Sequence, residues 1–213
     1  MKEVPINLEE IIKAIDQQRK IKGFLSVEDL LDLTKNNNIV LDPFSTLINS
    51  EANIGEGNTF YPSVTIEINN NGKITIGNNN IFHPQTFLLA SKGEIVIGNN
   101  NQLGDGGVSI KANQDNAKVT VEDNCRLLNQ IQVLGITTLG TGCQVIGGPI
   151  TVQDCFLNGG NSYDEADPDL RAGVLKGFGL ARNIRVMRGE VINGEGMFNQ
   201  SSAQRQSDFH PKK

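Results

Sequence analysis

The feature that most constrains this 213-residue sequence is a short segment that occurs twice. Residues 74–80 read ITIGNNN, and residues 95–101, twenty-one positions later, read IVIGNNN. That interval is too long for a helical heptad and too short for most independent domains. It is typical of chains in which a short unit stacks on copies of itself, and such stacking requires a regular spacing of buried residues.

Apolar residues recur at every sixth position through much of the chain. They form four runs, from Ile48 to Ile66, Ile76 to Leu88, Ile97 to Leu103 and Val121 to Thr151. The chain also has 25 Asn and 23 Gly but no Trp, which favours short strands joined by tight turns. One aliphatic residue and two turn residues in every six are what one side of a three-walled coil requires. We therefore expect the aliphatic side chains to point into the coil.

Stacking the coils places the apolar residues in three inward columns. The first column contains Ile54, Ile76, Ile97, Val121, Leu139 and Leu157. The second contains Phe60, Phe82, Leu103, Leu127 and Val145. The third contains Ile48, Ile66, Leu88, Ser109, Val133 and Thr151. Ser109 fits poorly, and its neighbours Val108 and Ile110 indicate a local slip of register.

One coil then takes about eighteen residues, and the extra residues of the longer interval lie in interruptions of the six-residue count. These interruptions, at residues 67–75, 89–96 and 110–120, all fall between the third column and the first. We expect them to leave one corner as a ridge of three stacked loops. The repeated asparagines follow at the next corner, where side-chain amides of successive coils can hydrogen bond to one another.

The segments IGEGNT, IGNNNI, IGNNNQ, VEDNCR and LGTGCQ resemble the repeats of hexapeptide-repeat acyltransferases over roughly residues 46–157. This resemblance implies an all-β fold, a left-handed parallel β-helix of about six coils. Residues 37–67 are also similar to the opening of the acetyltransferase domain of the bifunctional enzyme that synthesises UDP-N-acetylglucosamine. The pattern of that domain is IxDPxxTYI followed by IGxxxxIYPxxxIE, and this chain reads VLDPFSTLI and IGEGNTFYPSVTIE at the corresponding places. These residues lie in the first coil and support the fold more than the activity.

The segments on either side of the repeats predict smaller elements. N-cap signatures at Asn7 and Ser26 predict two short helices in residues 1–45, which we expect to cover one end of the coils. Residues 158–200 contain a polar connector and two or three strands, expected to fold back over the last coil or to reach a neighbouring subunit. Residues 201–213 read as a flexible tail.

Composition and charge limit the partners to be expected. A net charge of −5 gives no reason to expect nucleic acid or an anionic membrane. The N-terminus lacks the apolar core of a signal peptide and no apolar run is long enough to span a membrane, so we predict a cytoplasmic protein.

The cysteine and histidine content argues against a bound metal. Cys125, Cys143 and Cys155 have neither disulfide-framework nor zinc-site spacing, and there are only two histidines. Cys125 and Cys143 lie eighteen residues apart and should face inward on adjacent coils as small apolar fillers. We expect no metal and no catalytic thiol.

The resemblance implies a histidine as general base toward an acyl thioester. His83 follows the inward Phe82, so its ring should point outward above Tyr61, and Asp105 one coil away could orient it. The alternative is that His83 is only a turn residue, because FYP and FHP occupy equivalent positions in successive coils. His210, near the C-terminus, is a weaker candidate.

Basic residues along the C-terminal strands are candidates for cofactor binding. Their cationic groups could hold the phosphates of coenzyme A or of a sugar nucleotide. The alternative is that they lie on solvated strand faces and pair with nearby carboxylates. The residues concerned are Lys176, Arg182, Arg185 and Arg188.

Two functions therefore remain open at the level of sequence. The first is an acyltransferase that passes an acyl group from acetyl-CoA, or another acyl-CoA, to a sugar or sugar nucleotide. The resembled family implies a homotrimer with sites between subunits. The second is a noncatalytic β-helix, a scaffold or binding module whose ridge of stacked loops meets a protein or glycan partner.

Overall fold

The computed structural model describes residues 7–210 and 212. Nearly all of its strands are short and parallel, and they stack into three walls that we call face 1, face 2 and face 3. The chain passes through the faces in that order, so each circuit adds one strand to each wall. The predicted all-β parallel β-helix is confirmed.

Most strands belong to a single face. Face 1 contains β1 (Ile39–Val40), β4 (Thr59–Phe60), β7 (Ile81–Phe82), β10 (Gln102–Gly104) and β13 (Arg126–Leu128). Face 2 contains β2 (Leu47–Ile48), β5 (Thr65–Asn69), β8 (Phe87–Ser91), β11 (Val108–Ala112) and β14 (Ile131–Leu134). Face 3 contains β3 (Asn53–Ile54), β6 (Lys73–Ile76), β9 (Glu94–Ile97), β12 (Lys118–Val121), β15 (Ile136–Leu139), β17 (Phe156–Leu157) and β19 (Arg185–Val186).

Three longer strands turn the corner between face 1 and face 2 and so join these walls into one sheet. They are β16 (Gln144–Gln153), β18 (Val174–Arg182) and β20 (Glu190–Met197). A short last strand, β21 (Ala203–Arg205), pairs antiparallel with β20.

The inward columns of face 3 and face 1 match the six-residue prediction. On face 3 the strand register aligns Ile54, Ile76, Ile97, Val121, Leu139 and Leu157. On face 1 it aligns Phe60, Phe82, Leu103, Leu127 and Val145. All of these side chains except the partly buried Ile54 are buried in one core.

The predicted column of face 2 is wrong at two positions. Leu88 aligns with Ile110 instead of Ser109, and Val133 aligns with Val152 instead of Thr151. One additional residue lies at the corner between face 1 and face 2, before β11 in one coil and within β16 in the other. Because side chains alternate along a strand, a single insertion turns the next residue inward.

The three interruptions lie at one corner, between face 2 and face 3, as predicted, but they do not form a ridge of loops. The additional residues lengthen the strands of face 2 and face 3, because they continue the alternation of apolar side chains. They add buried side chains to the core, namely Ile68, Ile74, Ala90, Ile95, Ala112 and Val119. Turns as short as residues 92–93 connect these strands, and the connection at residues 113–117 is the longest of the three.

The asparagines of ITIGNNN have different structural roles. Asn78 is exposed, and its backbone N–H and side-chain Nδ2 both donate to Asn99 Oδ1, at 2.8 and 3.1 Å. Asn79 has a φ of 56°, in the left-handed region that asparagine tolerates better than most residues. Asn80 is fully buried, with no exposed side-chain surface.

Asn80 belongs to a buried ladder at the corner between face 3 and face 1. Its backbone N–H and Nδ2 donate to Asn58 Oδ1, at 2.9 and 3.0 Å, and Nδ2 also donates to the Gly98 carbonyl, at 2.9 Å. The ladder begins at Asn38 and ends where Asn101 accepts from the backbone of Cys125. The predicted stacking of asparagine amides is confirmed, and the buried backbone groups of this corner gain partners.

Two helices precede the strands. Helix α1 (Leu8–Ile21) is capped by the side chain of Asn7, which accepts from the backbone of Glu9. Helix α2 (Val27–Asp32) begins with a capping box formed by Ser26 and Asp29, and a 3-10 turn follows at Leu33–Asn36.

The two helices contribute differently to covering the first coil. Helix α2 buries Leu30 in the core shared with Ile48. The buried side chain of α1 is Arg19, whereas Leu8 and Ile21 on the same helix are exposed. A polar anchor thus replaces the apolar contact expected of a covering helix.

The C-terminal strands extend the stack instead of folding back over it. Val145 of β16 aligns with Leu175 of β18, which aligns with Ile192 of β20, so the inward column of face 1 continues. The segment predicted as a flexible tail contains β21 and the buried Gln206. Gln206 Nε2 donates to the Ala172 carbonyl at 2.7 Å, which attaches this segment to the solenoid.

Candidate functional site

His83 lies on the outer surface of face 1. It follows Phe82, whose ring is fully buried, and side chains alternate along a strand, so the imidazole points outward. Its ring stacks on Tyr61, with centroids 5.2 Å apart and planes inclined by 24°. Its Nε2 lies 3.3 Å from Gln102 Nε2. These two neighbours orient a half-buried imidazole on the outer surface of face 1.

The predicted pairing of His83 with Asp105 is not formed. In the described part of the chain, neither a hydrogen bond nor an ion pair joins the two side chains. Gly104 is stacked on His83 so closely that a Cβ at Gly104 would collide with that of His83. After it, Asp105 has a φ of 55°, and its side chain is exposed. Gln102, which sequence analysis missed, contacts the imidazole instead.

The four cations proposed to hold a cofactor lie on different surfaces. Lys176 is outward on face 1, aligned with Ile146 and Asn193. Arg182 is at the far end of β18, where its guanidinium donates to Gln153 Oε1 at 2.8 Å. Their separation follows from the corner that β18 turns between face 1 and face 2.

The other two arginines are engaged elsewhere in the C-terminal coils. The Arg185 guanidinium lies over the ring of Phe156 on face 3, 5.9 Å from its centroid. Arg188 Nε donates to the Leu170 carbonyl at 3.0 Å. The chain alone therefore does not assemble one phosphate site from the four predicted residues.

The cysteines are structural. Cys125 and Cys143 are buried on adjacent coils as predicted, and Cys155 is buried too. Burial raises the pKa of the Cys125 thiol to about 12, and it raises the pKa of Cys143 and Cys155 as well. A thiol that stays protonated at neutral pH is a poor nucleophile, so these side chains act as core fillers.

Two further properties concern metals and membranes. Among residues 7–210 and 212, no group of three or more His, Cys, Asp or Glu side chains is placed to hold a metal ion. Within the same residues, both helices are too short and too polar to cross a bilayer.

The sequence was compared with models of protein families and with curated proteins. Neither the models of protein families nor the curated protein sequences give a match to this chain. The chain is a parallel β-solenoid, a class that includes enzymes and noncatalytic proteins, so function must be inferred from the site.

Proposed function

We propose that the protein is an acyltransferase that moves an acyl group from a coenzyme A thioester to a sugar or sugar nucleotide. The observation that carries this proposal is the outward imidazole of His83, which is held between Tyr61 and Gln102 on the wall of a parallel β-solenoid. The fold is compatible with that of the hexapeptide-repeat acyltransferases, which the repeats resemble.

In the proposed reaction, His83 acts as general base. It accepts a proton from an amine or hydroxyl of the acceptor, whose nitrogen or oxygen then attacks the thioester carbonyl. The carbon–sulfur bond breaks, and the protonated imidazole returns its proton to the departing thiolate. The stack on Tyr61 and the contact with Gln102 limit the rotation of the ring, which reduces the entropy lost on reaching the reactive geometry.

A homotrimer is part of this proposal. His83 stands on an open wall, where a substrate would be covered on one side only. The surface of a second protomer would complete the site and exclude water.

The test is acyl transfer from acetyl-CoA to a panel of amino sugars and sugar nucleotides, followed by the release of free thiol. We expect His83→Ala to lower kcat/KM at least 100-fold, since general base catalysis contributes about 10²–10⁴-fold. Asp105→Asn should change it less than threefold, because its carboxylate is not bonded to His83. Gln132→Ala, on the outer surface of face 2, is the matched control.

Two results would reject the acyltransferase. One is the absence of thiol release with every acceptor, and the other is unchanged kcat/KM in His83→Ala. The alternative is then a noncatalytic binding module, which the dispersal of the four predicted cations over different surfaces favours. Its binding surface would be a wall of the solenoid, since the additional residues of each coil lie in the strands.

A further inference from the structure

A second candidate site lies at the C-terminal end of face 1, where a cleft of about 470 Å³ opens between the solenoid and the end of the chain. Its floor consists of outward side chains of β16, β18 and β20, among them Ile146, Val174 and Val191. Tyr163 of the polar connector lines the cleft, as does Phe209 near the chain end. This volume is in the range of small-molecule sites.

Both sides of the cleft are fixed by contacts within the chain. The ring of Tyr163 packs against the Arg126 guanidinium, 4.4 Å from its centroid. On the other side, the buried Gln206 bonds to the carbonyls of Ala172 and Glu190. The backbone of Phe209 donates to the Gln206 carbonyl at 3.1 Å. The cleft is therefore formed before any ligand enters, which lowers the entropic cost of binding.

The charges that line the cleft are positive, although the chain carries a net charge of −5. Lys176 and Arg171 contribute these charges, and none of the lining side chains is a carboxylate. Lys176 is exposed and forms no ion pair with a described residue. Its directly opposite neighbours in the adjacent strands are Ile146 and Asn193, neither of which is a carboxylate.

The guanidinium of Arg171 is held in place by hydrogen bonds along one edge only. Its Nε and Nη2 both donate to the Glu165 carbonyl, at 2.8 and 2.6 Å. Its Nη1 makes no hydrogen bond with a described residue. A guanidinium fixed on one edge in this way keeps a donor for an oxyanion at small entropic cost.

We propose that this cleft binds an organic anion, a carboxylate or phosphate group carried on a flat apolar body. Lys176 and Arg171 would bind the anion through charge-assisted hydrogen bonds. Ile146, Val174 and the ring of Phe209 would cover the apolar body. The site is separate from His83, because four strand steps along face 1 amount to roughly 19 Å. The inference therefore does not depend on acyl transfer.

The test uses three probes that share one ring system: 1-naphthyl phosphate, 1-naphthoate and the neutral 1-naphthol. Each is titrated by calorimetry into the full chain. We expect at least one anionic probe to bind ten times more tightly than 1-naphthol, and the tighter of the two identifies the anion that the cleft prefers. Lys176→Met should weaken that probe at least tenfold. Lys118→Met, which removes one positive charge from face 3, should weaken it less than twofold.

Two further variants test the apolar contact in the cleft and its independence from His83. Phe209→Ala should weaken the anionic probe at least threefold by removing apolar contact. His83→Ala should leave it unchanged, which separates this cleft from the proposed acyl transfer. The proposal is overturned if neither anionic probe binds, if 1-naphthol binds equally well, or if the two lysine variants weaken binding to the same extent.

Discussion

Replacement of Arg19 by methionine is expected to lower the free energy of unfolding by about 3–5 kcal/mol, because it removes several hydrogen bonds from a charged donor, each of which contributes about 1.5–3 kcal/mol when made without loss. Arg19 is only 5% exposed. Its guanidinium donates to the carbonyls of Pro43, Phe44 and Thr46, at 2.8, 2.9 and 3.1 Å. The methionine side chain fills similar space but leaves these carbonyls without a donor.

The same contacts explain why α1 stays on the solenoid although much of its apolar surface is exposed. Burial lowers the pKa of Arg19, while the negative charges of Asp16 and Asp42 act in the opposite direction. The arginine stays charged because the pKa of a guanidinium lies far above neutrality. It therefore attaches the helix through charged hydrogen bonds to the segment that leads into β2.

Lys20→Met is the matched control for Arg19→Met. Lys20 is the next residue of α1, it is exposed, and its replacement removes the same charge. We expect a change within about 0.5 kcal/mol, as for most surface substitutions. Urea unfolding followed by circular dichroism measures both variants. Equal losses from Lys20→Met and Arg19→Met would contradict the anchoring role of Arg19.

Replacement of Asn80 by alanine is expected to lower the free energy of unfolding by about 2–4 kcal/mol, because a buried polar group left unpaired costs about 1–3 kcal/mol. Three groups lose a partner at once. The Asn101 N–H loses its acceptor, the Gly98 carbonyl loses a donor, and Asn58 Oδ1 loses the donor Nδ2. The small apolar side chain replaces none of these bonds.

The neighbours of Asn80 provide controls in the same turn. Asn79→Gly should be neutral or slightly stabilising, because glycine adopts the φ of 56° without steric cost. Asn78→Ala should cost less than about 1.5 kcal/mol, since the two bonds its side chain makes, from Nδ2 to Asn99 and from the Glu56 N–H to Oδ1, are exposed to water. These free energies come from the same urea titrations. The buried ladder would be contradicted if Asn80→Ala cost no more than Asn78→Ala.

Much of the fold could be predicted because burial at every sixth residue leaves few alternatives for the chain. The inward columns of face 1 and face 3 follow from that spacing alone. Face 2 could not be predicted to its end, because one extra residue at a corner reverses the alternation. Ser109 signalled the first of these slips, being polar at an inward position, whereas Thr151 gave a weaker signal because threonine is common in strands.

The surroundings of His83 were only partly predictable. Its outward direction follows from the inward Phe82, and its stack on Tyr61 follows from the equivalence of FYP and FHP. The direction of Asp105 depends on the φ values of Gly104 and Asp105, which the residue types do not determine. Gln102 contacts the imidazole from the adjacent strand β10, two residues before Gly104.

The cleft at the C-terminal end of face 1 could not be predicted from the spacing of residues in the sequence. It requires Tyr163 from the connector, Lys176 from β18 and His210 from the chain end to meet on one wall. These three residues are not related by the six-residue repeat or by any other regular spacing. They come together because β18 continues the stack and Gln206 attaches the following segment to it.

The most direct test of the proposed function follows the two histidine side chains of the protein in solution. The imidazole carbon–proton resonances are recorded by NMR during titration with acetyl-CoA, and His83→Ala assigns them. If acetyl-CoA binds on face 1 beside Tyr61 and Gln102, the His83 resonances shift in a saturable way, whatever those of His210 in the separate C-terminal cleft do. His83 resonances that remain unchanged at millimolar acetyl-CoA would contradict the proposal.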